Sequence, residues 1–228
     1  MNYNWNLGIL WEYREVFFIG TLVTLELTGI TIIVGTGLGI LLGVGLRAES
    51  PLVRWPVVTY VELLRALPLL VLLVWLYYFL PAVFNVKLSA FTTAAIGLSI
   101  NLSAFVADVV RGAIVGVPRA QVDAARSLGM SRALTLRRVI LPEALRSLVP
   151  TLTALYITMF KMSTLASAIS CYELLHAADG IIIQTYRALE VYSGIAAIYL
   201  VLIIPATYLA KKLENSPRFI RRETLGAL

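Results

Sequence analysis

The sequence predicts an all-α, polytopic membrane protein with five membrane-crossing helices, and three observations predict it. Hydrophobic residues make up 59% of the 228-residue chain, charged residues only 14%, and the mean hydropathy is +0.85. Ordinary soluble domains carry about 25% charged and about 45–50% apolar residues. Five stretches meet or approach the roughly 20 apolar residues that a helix needs to cross a hydrocarbon core about 30 Å thick. Fourteen of the 19 basic residues then fall on one side of the bundle, the bias that marks cytoplasmic loops. The whole chain, 1–228, reads as one transmembrane domain.

The first span runs from about Val16 to Leu46, is interrupted only by Glu26, and carries Gly35, Gly39 and Gly43 at four-residue spacing. That spacing makes a smooth helix face on which a neighbouring helix can approach closely. The second span runs from about Val57 to Phe79 and holds Glu62, Arg65 and Pro68; the third, from about Ser89 to Val110, holds Asn101 and Ser103 and ends at Asp108 and Arg111. The fourth covers about Ser147 to Ile169 with Lys161 inside it, and the fifth about Val191 to Ala210 with Pro205. Before the first span, Tyr3, Trp5, Trp11 and Tyr13 form an aromatic cluster of the kind that lies at a membrane interface. A cleaved signal peptide is a poor reading of this start, which lacks an early basic cluster.

Orientation follows from the loops. Arg47 and Arg54 lie between spans one and two; Arg111, Arg119, Arg126, Arg132, Arg137, Arg138 and Arg146 between three and four; Lys211, Lys212, Arg218, Arg221 and Arg222 in the tail. The opposite side has Arg14, Lys87 and Arg187. The N-terminus is therefore expected outside and the C-terminus in the cytoplasm. Topology accounts for the net charge of +6, which leaves no case for a nucleic-acid partner. One Cys, Cys171, and one His, His176, provide neither a disulfide framework nor a metal cluster. The external segment Cys171 to Glu190 is expected to include a short helix over the outer mouth, with Cys171 a small filler and His176 a solvated loop residue.

The segment of about 111–146 between spans three and four is the most informative. Pro118 suits a first helical turn, Asp123 is placed near the helix start where the dipole favours it, Ala124, Ala125 and Leu128 are expected to share one face, and Gly129 to supply a left-handed stop. A second helical run starts at Ser131, with a local break expected at Pro142. Two readings of the resulting amphipathic helix stay open: a knob that docks into a partner, or a helix resting on lipid headgroups.

The run Asp123-Ala124-Ala125, then Gly129, then Val139-Ile140-Leu141-Pro142 resembles the EAA loop of permease subunits of binding-protein-dependent ABC importers. Asp stands where the family has Glu, and Val139 where it usually has Ile. Tyr60-Val61-Glu62-Leu63-Leu64-Arg65-Ala66-Leu67-Pro68, Arg111-Gly112-Ala113-Ile114 and Ser163-Thr164-Leu165-Ala166 resemble the polar amino-acid branch, which handles histidine, glutamine and glutamate/aspartate. The resemblance covers nearly the whole chain. It implies a five-helix, MetI-like type I permease in a bacterial inner membrane. Asp123, Ala124, Ala125, Leu128, Gly129, Leu141 and Pro142 would couple it to a cytoplasmic ATPase dimer. ATP and Mg would be bound by that partner, since no phosphate-binding Gly-x-x-x-x-Gly-Lys-Ser/Thr loop occurs in this chain. The further partners implied are a second permease subunit, identical or a sibling, an external amino-acid-binding protein, the amino-acid substrate, and membrane lipid. Variants near Arg65-Ala66-Leu67-Pro68 resemble the glutamate/aspartate permeases.

Charges inside spans are costly, about 2.5–3.5 kcal/mol each on insertion scales, and face the bundle interior or a water path. Glu62 and Arg65 are three residues apart and either neutralise each other or serve a substrate, with Arg65 or Lys161 meeting a carboxylate and Glu62 an ammonium. Lys161 can also snorkel to an interface. Asn101 is a pathway candidate whose commoner role is an interhelical hydrogen bond. The alternative function is an ATP-independent channel or secondary transporter, in which a cytoplasmic docking helix has no task. An intramembrane enzyme lacks a catalytic constellation.

Overall fold

The computed structural model describes residues 4–214, with side chains through 212. Tyr3 of the interfacial cluster and Arg218, Arg221 and Arg222 of the tail lie outside the described residues. The elements are α1 (Gly8–Glu12), α2 (Arg14–Gly45), α3 (Pro51–Ala66), α4 (Leu69–Phe84), α5 (Ala90–Val115), α6 (Arg119–Ser127), α7 (Arg132–Thr135), a π turn at Leu136–Ile140, α8 (Leu141–Met162), a 3₁₀ turn at Ser163–Ile169, α9 (Leu174–Thr185) and α10 (Ala188–Glu214). Four helical segments are long and apolar enough to cross a membrane, and the bent pair α3 and α4, counted as one span, brings the number to five. This matches the five spans read from the sequence.

α5 is the centre of the bundle. Leu98, Leu102, Ala104, Val106 and Ala107 are all essentially inaccessible, and α2, α3, α4 and α8 pack around them. The glycine ladder of α2 explains how α5 comes so close. A Cβ on Gly35 would meet Leu102, one on Gly39 would lie 2.5 Å from the Val106 Cβ and 2.8 Å from the Ser103 carbonyl oxygen, and one on Gly43 would meet Val110. Both helices therefore present residues at four-residue steps in the same chain direction, a ridge of α5 lying in a groove of α2. α5 starts at a capped end, where the Thr92 N–H donates to the Ser89 hydroxyl at 3.1 Å and satisfies one of the otherwise unpaired first-turn donors.

The second expected span is not one straight helix. α3 and α4 meet at an angle of 107°, with Leu67 (ψ 129) and Pro68 (φ −60, ψ 131) extended at the break. Proline forces the residue before it out of the helical region and has no N–H for the carbonyl four residues earlier. That carbonyl belongs to Leu64, and the Asn101 side-chain amide of α5 donates to it at 3.5 Å. Asn101 is 3% exposed and Leu64 5%, so water is excluded and the amide is the available replacement.

Pro142 has the opposite outcome. Arg132–Ile169 forms one 38-residue helical rod that continues through it, so the local break expected there is corrected. Pro142 lies in the first turn of α8, directly after the π turn Leu136–Ile140. The wider turn accommodates the missing N–H and the ring without ending the helix.

After the 3₁₀ turn, Ser170 (φ 60) reverses the chain and α9 packs on α2. Leu174 N–H donates to Thr24 Oγ1 at 3.0 Å, and a Cβ on Gly20 would lie 3.0 Å from the Leu174 Cα. Cys171 is a buried filler, as its small size suggested. His176 is not a solvated loop residue: it sits half-buried in α9, its Nδ1 3.5 Å from the Ser167 hydroxyl. The start of the chain is tied to α10. Arg187 Nη1 donates to the Asn4 carbonyl at 2.7 Å, and Asn6 N–H donates to Glu190 at 3.1 Å.

Two stability measurements on the detergent-purified protein check this packing. Gly39→Leu is expected to lower the melting temperature through a loss of about 1–3 kcal/mol or more from overpacking; Gly37→Leu, whose Cβ meets nothing within 4 Å, should leave it unchanged. Asn101→Leu leaves the buried Leu64 carbonyl unpaired, at a cost of about 1–3 kcal/mol, so a melting temperature equal to that of the native protein would contradict the assigned role.

Candidate functional site: the short loop helix and the intramembrane charges

α6 begins at Arg119, after an extended Pro118 (φ −56, ψ 127) that occupies the cap position and not the first turn. Asp123 consequently lies in the second turn, where the helix dipole acts little. The helix ends on Gly129, which has φ +78. Gly129 N–H donates to the Arg126 carbonyl at 2.9 Å and Met130 N–H to the Ala125 carbonyl at 3.2 Å, the paired bonds of a Schellman stop. Ser131 then caps α7 by accepting from the Leu134 N–H at 3.3 Å. Two tight stops therefore join a nine-residue helix to the long rod that enters the membrane.

The expected common face of Ala124, Ala125 and Leu128 is divided. Ala125 is 5% exposed and turns inward, on the same side as the half-buried Val122. Ala124 and Leu128 point outward, with Leu128 83% exposed. Ala125 belongs to the i, i+3 stripe with Val122, which the periodicity of the apolar residues alone did not separate from Leu128. The outward surface is small and apolar, flanked by the exposed Asp123, and a Cβ on Gly129 would meet nothing within 4 Å. Leu141 and Pro142 lie exposed in the first turn of α8.

Of the intramembrane candidates, the structure joins Glu62 and Arg65, but a third residue dominates. Arg65 Nη1 is 3.9 Å from Glu62 and 3.2 Å from Asp108 Oδ2 of α5. Asp108 Oδ1 also accepts from Arg111, at 2.7 Å. The guanidinium stands over the Phe105 ring at 5.9 Å. Asp108 is 43 positions from Arg65 along the chain, and no sequence spacing announces the pair. It also lines a recess of about 440 Å³ between α5 and α8, shared with Glu143, Arg146, Ser147 and Thr151, where Glu143 and Arg146 form their own pair at 3.1 Å. Asn101 stays out of this recess and serves the backbone of α3. Lys161 is exposed in the last turn of α8 and Glu26 is exposed on α2, neither with an ion-pair partner among the described residues.

One buried carboxylate was not singled out by sequence. Glu173 is fully buried and accepts from the His176 N–H at 2.9 Å, capping α9. Burial pushes its carboxyl up to about 7, against the lowering effect of the backbone N–H groups that bond it. The three-residue spacing from Glu173 to His176 was its only sequence signal. Among the described residues no group of three or more His, Cys, Asp or Glu is placed to hold a metal ion.

Known proteins resemble this chain over most of its length. The glutamine transport system permease protein GlnP of Escherichia coli K12 is 28% identical over 96% of this chain and 100% of its own length. The octopine transport system permease protein OccM of Rhizobium meliloti is 33% identical over 94% of this chain and 91% of its own. A crystal structure of an amino acid ABC transporter with histidines superposes with a TM-score of 0.89 at 34% identity, covering 93% of this chain and 99% of that one. The inward-facing MetNI methionine ABC transporter shares the fold, with a TM-score of 0.76 at 22% identity. The profile of the binding-protein-dependent transport system inner membrane component matches residues 35–218, most of the sequence, and this chain belongs to that family.

Proposed function

We propose that the chain is the membrane-spanning subunit of an importer for polar amino acids, driven by a separate ATPase that docks on α6. The observation that carries the coupling role is mechanical. A nine-residue helix, held by a Schellman stop at Gly129, hangs on a 38-residue rod that reaches into the membrane. A push on the outward Ala124 and Leu128 surface is then carried along the rod into the fourth span, because no break intervenes at Pro142. ATP and Mg belong to the docked partner. A channel or secondary transporter would have no use for such a lever.

The basic loops support an N-terminus outside and a C-terminus in the cytoplasm. Glu26 supports a second permease subunit: an exposed carboxylate about 18 Å along α2 from Arg14, at about 1.5 Å per residue, is unfavourable against hydrocarbon. A second copy or a sibling, enclosing a water path with this face, removes that cost. An external binding protein delivers the ligand. The relatives named for glutamine and octopine and the solved transporter with histidines support a zwitterionic amino-acid substrate. Glutamate and aspartate remain within the class, and an uptake competition panel with the cognate binding protein decides among them.

Two sets of variants test this reading in proteoliposomes containing the ATPase. Gly129→Val places a β-branched residue at φ +78 and is expected to abolish ATP-driven uptake while membrane insertion is unaffected; Gly129→Asn, which tolerates the left-handed region, should retain a substantial part. Normal uptake by the valine variant would exclude α6 as the lever. Arg65→Ala and Lys161→Ala are each expected to reduce uptake about tenfold or more, about 1.4 kcal/mol in the barrier, with stability measured alongside. Recovery on exchanging the charges, Arg65→Asp with Asp108→Arg, would assign Arg65 to the structural pair and not to the substrate, and normal transport by both alanine variants would remove both cations from the pathway.

A further inference from the structure

A second recess, of about 350 Å³, opens where α6 meets the ends of α2 and α5, and its charged lining is Arg47, Arg119, Asp123 and Arg126. Arg119, Asp123 and Arg126 are spaced i, i+4, i+7 and so share one face of α6. Arg47 arrives from the other side, two residues past the last residue of α2. Three arginines and one aspartate, all exposed, line the recess, and none of the four has an ion-pair partner among the described residues. The recess is therefore net positive and attracts an anion. The planar donor forks of arginine fit phosphate oxygens in pairs.

The rest of the lining says which phosphate. Ile114, Val115 and Ile140 form an apolar wall beside the arginines, and Val115 is 63% exposed. A free phosphate has no use for that wall, whereas a phospholipid lays its glycerol and first acyl methylenes along it. The recess lies at the ends of two spanning helices on the side with the excess of basic loops. Anionic headgroups concentrate at that surface, and basic pockets between helices bind them there.

We propose that this recess is a binding site for the phosphodiester headgroup of an anionic glycerophospholipid, held by Arg47, Arg119 and Arg126, which ties α6 to the bilayer. The proposal rests on the cytoplasmic placement of α6 but not on its docking to an ATPase.

The test uses the purified permease–ATPase assembly, delipidated and titrated with phosphatidylglycerol or phosphatidylcholine, with bound lipid counted by native mass spectrometry. The native assembly is expected to retain phosphatidylglycerol and not phosphatidylcholine. Arg47→Gln should weaken that retention about tenfold, and Arg47→Gln/Arg119→Gln/Arg126→Gln should abolish it. Arg137→Gln/Arg138→Gln, exposed on the neighbouring π turn outside the recess, should leave it intact. Equal retention by the native and arginine-depleted assemblies overturns the proposal. Full displacement by an equal concentration of inorganic phosphate overturns the lipid assignment in favour of a free-phosphate site. Cross-linking of position 126 to an ATPase carboxylate with no lipid retained assigns the recess to the motor and likewise overturns it. Labelling of an Ala120→Cys variant by an impermeant maleimide, from the cytoplasmic or the external face, reports the orientation independently.

Discussion

Every backbone N–H and C=O needs a partner where a helix is interrupted, most strictly in hydrocarbon where there is no water to turn to, and this one constraint shapes the irregular parts of the molecule. A helix meets it automatically; a break does not. At Pro68 the helix does break, and the Leu64 carbonyl that loses its partner is met by Asn101 from the central helix. At Pro142 the same residue type leaves the helix continuous, because a widened turn takes up the missing donor at the edge of the rod. At Gly129 the carbonyls of a short helix are closed by Gly129 and Met130. Each solution has a mechanical result: a fixed bend in the second span, an unbroken rod in the fourth, and a rigid knob on the rod.

The rod and the bend are held to the same centre. The bend is anchored through Asn101 and through Arg65, which reaches Asp108 two residues before Val110, the last buried residue of α5. The rod packs on α5 beside the recess that Asp108 shares with Glu143 and Arg146. Movement of the rod therefore acts directly on the walls of that recess. Along Leu102, Val106 and Val110, α5 is locked to α2 by the glycine ladder, where contact is too close to permit sliding past Val106, and the same three residues pack on Leu152 and Met159 of α8.

Much of the fold was legible in the sequence because its determinants are local. Apolar length defined the spans, the four-residue glycine spacing marked the close-packed face, and Gly129 marked a helix stop through its own backbone preference. The family resemblance also rested on contiguous residues, Asp123 to Pro142. Asn101 was legible only as a polar residue with a preference for interhelical bonding; its acceptor depends on a proline in another span. The inward turn of Ala125 and the outward turn of Leu128 depend on what packs beneath α6, which a helical wheel does not contain.

The sequence by itself determined that the chain crosses a membrane in five passes, that most of its basic residues gather in the loops of one side, and that a glycine-stopped helix stands among those loops. These are properties of hydropathy, charge count and single-residue backbone preference, each readable within one segment. Only the tertiary structure decided that Arg65 faces Asp108, that Asn101 serves Leu64, and that three arginines from α6 and the end of α2 share one recess. Those relations join residues tens of positions apart, and it is the packing of helices around α5 that sets which distant groups come within reach of one another.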